Sequence, residues 1–118
     1  SHSDPGSQIE TLRERIEESE EIAAADRDAL LDFSDELYLL RHCTRIAEHV
    51  GGLADALEDR DAAEEIVRWI NRTYDNEETN RDYRIALRVF GRRTVDGNGD
   101  NPPESIEWVP SGTPRNYD

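Results

Sequence analysis

The chain has 118 residues, a formal charge of −14 and a mean hydropathy of −0.89, a length that fits one domain with a modest core. It contains no run of about 18 apolar residues and no opening basic, apolar and small-residue series, so a cytoplasmic protein with neither a membrane span nor a signal peptide is expected. The single cysteine, Cys43, cannot close an intrachain disulfide, and with three histidines it makes no credible zinc set.

In chain order, Ser1 and His2 read as the remnant of a removed affinity tag, and residues 1–6 as a disordered start. Ser7 and Glu10 have capping-box spacing, and Ile9, Leu12 and Ile16 follow at helical intervals, predicting a short amphipathic helix to about Ser19. A second helix is expected from an N-cap at Asp26 to a stop at Gly51 and Gly52, with a bend or break near Ser34 or Asp35. Over its second half Leu39, Cys43, Ile46 and Val50 share one face, while Tyr38, Arg41, His42, Arg45 and His49 gather on the other. Residues 53–60 predict a brief helical turn. A further helix follows, capped by Asp59 or Asp61, with Ala62, Ile66, Trp69 and Ile70 as its apolar stripe. Asn76 is the expected N-cap of the last helix, which runs to about Thr94. From Val95 onward four prolines and three glycines break any helical period. Ile106, Trp108 and Val109 are too apolar for a free tail, so this part docks either on the helices or on another body. The predicted core is Leu37, Leu40, Cys43, Ile46, Ile66, Trp69, Ile70, Tyr83, Leu87 and Phe90.

Charge is unevenly distributed. Residues 68–93 hold seven arginines against four acids, whereas residues 1–67 hold six against 19. On a helical wheel Arg81, Arg84, Arg88 and Arg92 fall in one stripe about 80° wide, opposite Tyr83, Ala86, Leu87 and Phe90, and are expected to point outward. One reading is a solvated face paired with carboxylates of neighbouring helices. The other is a DNA surface: exposed ion pairs add little stability, and Thr79 and Asn80 open the helix where backbone N–H groups can meet phosphate. Arginine suits both phosphate and guanine. Arg41, His42, Arg45 and His49 form a candidate second DNA surface. A helical protein-interaction module with an acidic partner and a helix-turn-helix transcription regulator remain as alternatives.

All 14 basic residues are arginine, against 28 Asp plus Glu. This composition resembles the proteins of extreme halophiles, where a carboxylate-rich surface opposes association. In addition, the order "LLRHCTRIAEHV", "DRDAAEEIVRWINRTY" and "NEETNRDYRIALRVFGRR" resembles the core-binding, SAM-like amino-terminal domain of tyrosine recombinases of the phage-integrase type, particularly haloarchaeal ones. Thr79, Ala86, Leu87, Arg88 and Phe90 match the family's last-helix pattern, and "IEWVPSGTPRNYD" looks like its interdomain linker. The resemblance covers roughly residues 37–118. It implies an all-α, SAM-like orthogonal bundle of four to five helices over 7–95, with a linker over 96–118 toward an absent carboxyl-terminal catalytic domain. It further implies that the chain clamps double-stranded DNA at a recombination site, alongside that catalytic domain in cis and other recombinase protomers. Family catalysis resides in the second domain, so no catalytic residue is assigned and the chain itself is not expected to be an enzyme. Tyr117 lacks the motif of a nucleophile.

No cofactor or metal is expected. His42 and His49 are two turns apart without a metal-binding motif, and "DGNGD" at 96–100 reads as a plain turn. No phosphate-binding loop, nucleophile elbow or dinucleotide fingerprint is present. Ile85 and Val89, which flank the arginine stripe, are expected to meet the absent domain or a neighbouring protomer.

Overall fold

Short polar side chains and one proline decide where the helices of the computed structural model begin. The structure describes residues 4–32, 36–94 and 102–110. Among them lie six α-helices: α1 (Pro5–Glu18), α2 (Ala24–Leu31), α3 (Leu37–His49), α4 (Leu53–Ala56), α5 (Arg60–Thr73) and α6 (Glu77–Thr94), with a 3-10 turn at Glu104–Ile106. The described residues contain no strand. The protein is all-α, as expected, with more helices than the predicted four or five.

Local rules account for several boundaries. Asp59 Oδ2 accepts the Ala62 N–H at 2.9 Å and caps α5, and Asn76 Oδ1 accepts the Thr79 N–H at 3.1 Å and caps α6. Gly52, at φ 112°, reverses the chain after α3 in a conformation that disfavours a side chain. Helix α1 starts differently from the prediction. Pro5 occupies its first turn behind Asp4, and Ser7 lies inside the helix, its carbonyl accepting from Thr11 Oγ1 at 3.0 Å. The stretch expected as a second helix with a bend or break forms two, α2 ending at Leu31 and α3 starting at Leu37; Ser34 and Asp35 lie outside the described residues, as do Ser1, His2, residues 96–100 and Tyr117.

Asp26 does not cap α2, whose N-cap is Ala23. Its fully buried carboxylate instead accepts the Leu53 N–H at 2.6 Å, the first amide of α4. A buried anion at a helix start satisfies an orphan donor and favours the helix dipole together.

The chain divides into two compact units, 1–53 and 54–118. In the first, α1 packs on α2 and α3, and α2 on α3, with Leu12, Ile16, Leu30, Leu40, Cys43 and Ile46 buried. Arg27 donates to the carbonyls of Ile16, Ser19 and Ile22, closing the α1–α2 turn. In the second unit α5 packs on α6 and on the 3-10 turn. Tyr74 stacks on Tyr83 with centroids 4.0 Å apart, and Trp69 meets Tyr74 edge-on at 5.8 Å. Of the predicted core, Leu37 and Trp69 are only half-buried, whereas Leu53, Leu57, Ile106 and Val109 join it. Val89 is buried and Ile85 half-buried within the chain itself.

Asp26→Ala should lower stability toward urea by about 2 kcal/mol, since a buried amide loses a charged acceptor. Asp26→Asn, which keeps an acceptor oxygen, should lose about half as much in the same titration.

Candidate nucleic-acid interface

Helix α6 has 18 residues, and its apolar positions extend around more than one face: Tyr83, Ala86, Leu87, Val89, Phe90 and Gly91 are all buried. Such a helix is central to its unit and leaves a narrow strip for solvent. The predicted outward arginine row is therefore corrected at two of its four positions. Arg84 is 4% exposed; its Nε donates to Asn80 Oδ1 at 2.7 Å and its Nη1 to the Pro110 carbonyl at 2.5 Å. Arg88 is half-buried, and its Nη1 lies 3.4, 3.2 and 2.7 Å from the carbonyl oxygens of Ile106, Glu107 and Val109.

The residues trailing α6 thus dock on the helix. Ile106 and Val109 are inserted at 0% and 2% exposure. Gly91 makes the approach feasible, because a Cβ there would stand 2.8 Å from Pro103 Cδ and 2.9 Å from Ile106 Cδ1. Ser105 Oγ donates to the Leu57 carbonyl, and Trp108 Nε1 to the Ser105 carbonyl at 2.6 Å. The Trp108 ring, 40% exposed, receives the Arg60 guanidinium 4.9 Å from its centroid. At the end of a helical turn the carbonyls carry partial negative charge, so a guanidinium there is favourable. Burial pushes the Arg88 pKa below its usual value, the like charge of Arg92 acts in the same direction, and Glu107 opposes both. An arginine so placed remains a cation at neutral pH.

Asn80 is also committed internally: its Nδ2 donates to Asn71 Oδ1 at 2.9 Å and to the Tyr74 carbonyl at 3.0 Å. The first turn of α6 carries Glu77 and Glu78, whose charge offsets the positive helix end and opposes a phosphate there. Thr79, Arg81 and Arg92 are half-buried, and neither Arg81 nor Arg92 has an ion pair among the described residues.

The second predicted surface is in the other unit. Arg41, Arg45 and His49 are exposed along α3, and His42 is half-buried with Nδ1 2.7 Å from the Tyr38 carbonyl. Arg41 Nη2 donates to neutral Gln8 Oε1 at 2.7 Å. Glu48 is the sole acid within α3, and Arg15 holds it through a fork of 2.8 and 2.6 Å. That hydrogen bond to Glu48 raises the Arg15 pKa, while burial acts against it. Arg41 and Arg45 have no ion pair among the described residues.

No protein-family model matches the chain, and neither a curated protein nor a solved structure does. Among the described residues no group of three His, Cys, Asp or Glu could hold a metal, and no helix is long and apolar enough to cross a membrane. The class defined by the coordinates is an all-α protein in which a docked carboxyl-terminal segment occupies two arginines of its last described helix.

Sequence reasoning placed the α3 cations on an open face and missed the internal role of Arg84 and Arg88. Two signals pointed to it: Gly91 falls within the last predicted helix, and Ile106, Trp108 and Val109 form an apolar cluster in an aperiodic tail. Arg88→Met should reduce stability toward urea by about 2 kcal/mol, because part-buried carbonyls lose a charged donor. Arg45→Met, on the open face of α3, should change it by less than about 0.5 kcal/mol.

Proposed function

We propose that the chain is a helical DNA-binding domain of the kind its motif order resembles, the core-binding domain of a tyrosine-type site-specific recombinase. Its contacts to duplex are Arg41, Arg45 and His49 on α3, with His42 beside them, and Thr79, Arg81 and Arg92 on α6. The observation that carries the reading is the α3 pair: Arg41 and Arg45 stand four residues apart, about 6 Å along the axis, and the helix's one acid, Glu48, is already engaged by Arg15. Arg41 and Arg45 are both exposed and have no ion pair among the described residues, and arginine forks engage phosphate oxygens in pairs.

The resemblance adds support through order. Its three matching stretches fall on α3, α5 and α6, and the linker-like stretch falls on the docked segment and the residues after it. The helix-turn-helix alternative requires a recognition helix with an open face, and the outward stripe of α6 is covered at Arg84 and Arg88 by the docked segment. DNA affinity of this chain alone should be weak, since few phosphates are contacted and molar salt removes most of the counterion-release contribution.

Labelled duplex titrated with the chain at 50 and 200 mM salt tests the proposal. Arg41→Glu with Arg45→Glu should weaken binding at least tenfold and reduce the slope of log affinity against log salt by about 2. Arg68→Ala, which removes an arginine already paired with Glu64 and Glu65, should change affinity less than about twofold. Absence of duplex binding by the unaltered chain at 50 mM salt would remove the DNA reading and leave the protein-interaction module.

A further inference from the structure

We infer that the 102–110 segment is an internal occupant of the arginine face of α6: docked, it withholds Arg84 and Arg88 from duplex phosphates, and undocked, it releases them. The inference rests on the DNA-binding reading above and gives that reading a means of regulation. Four main-chain carbonyls, those of Ile106, Glu107, Val109 and Pro110, accept from the two guanidinium groups. Carbonyl oxygens there take the positions at the donors that phosphate oxygens would take in a complex. The occupant is also acidic, with Glu104 and Glu107 and no basic residue, so its charge complements the face it covers.

Gly91 is the second, independent observation. Glycine in a helix interior weakens the helix relative to alanine, yet here any side chain would collide with Pro103 and Ile106. The position is shaped for the segment and against the helix. Arg81 and Arg92 stand half-buried on the same stripe, so release of Arg84 and Arg88 doubles its available cations from two to four. The resting state is docked, because release exposes Ile106 and Val109 to water.

The complete chain carrying Gly91→Ala tests this, since the three atoms nearest the added methyl belong to the segment while α6 gains helix propensity. Val109→Asp, which puts a carboxylate at a buried position, is the second means of release. Amide hydrogen exchange over 102–110 reports docking, far-ultraviolet circular dichroism reports the helices, and anisotropy of a labelled duplex at 50 and 200 mM salt reports binding. The expected result is faster exchange confined to the segment, duplex affinity raised about tenfold at the lower salt, and a salt slope steeper by about 2. Both gains should vanish when Arg84→Gln and Arg88→Gln are added. A released segment with affinity unchanged or lower, in a chain whose unaltered form binds duplex, overturns the masking and leaves the DNA reading standing. If neither form binds duplex, both fall. If neither substitution releases the segment, it is a fixed part of the unit and the inference is overturned.

Discussion

The contact between one guanidinium and the main chain organises the carboxyl-terminal unit. Arg88 projects from α6 toward a short turn and meets three of its carbonyl oxygens through a single nitrogen. The Ile106 carbonyl also accepts from the Val109 N–H, but that of Val109 is part-buried, where an unsatisfied acceptor costs on the order of 1–3 kcal/mol. With the Arg88 donor, the turn can lie flat enough on the helix for Ile106 and Val109 to enter the core. Gly91 supplies the clearance, and Arg84 fixes the far end at Pro110. The same device appears in the other unit, where Arg27 ties three carbonyls and Arg13 reaches that of Leu31 at 2.8 Å. Arg13, Arg27, Arg84 and Arg88 thus bind backbone, while others such as Arg45 face solvent.

That division of labour narrows the surface that can meet a polyanion. Arginine count along the sequence points to α6, but burial and hydrogen bonding place the less encumbered cations on α3. The decisive contrast is between Arg45, exposed and without an ion pair among the described residues, and Arg84, enclosed between Asn80 and Pro110. Both are arginines on amphipathic helices. Their difference arises wholly from what packs above them.

Several helix boundaries were readable because their cause is local. Asp59 and Asn76 each accept the N–H three residues on and so cap α5 and α6, and Gly52 turns the chain where a side chain would be strained; the start of α1, set by Pro5, was missed although its cause is local too. The all-helical class followed from the same periodicities. What escaped the sequence has partners far along the chain: Asp26 serves the amide of Leu53, 27 residues away, and Arg84 serves Pro110, 26 residues away. A helical wheel ranks Arg84 with Arg81 because it knows only rotation about an axis. It contains no information on an aperiodic segment folding back over that side. Leu37 and Trp69 erred in the opposite sense, since an apolar stripe gives direction without saying whether anything covers its ends.

The contrast between guanidinium–carbonyl bonds and carboxylate pairs has a consequence at high ionic strength. The ion pairs among the described residues involve side chains that keep substantial contact with water, and at 1 M ionic strength the screening length is only about 3 Å. Long-range attraction between such charges fades under those conditions. The 2.7 Å bond between Arg88 and the Val109 carbonyl is part-buried and has a neutral acceptor, so it depends less on attraction between two charges across solvent. Cohesion of the fold is thereby separated from the ionic atmosphere, and most carboxylates are left to hydrate the exterior without also having to hold it together.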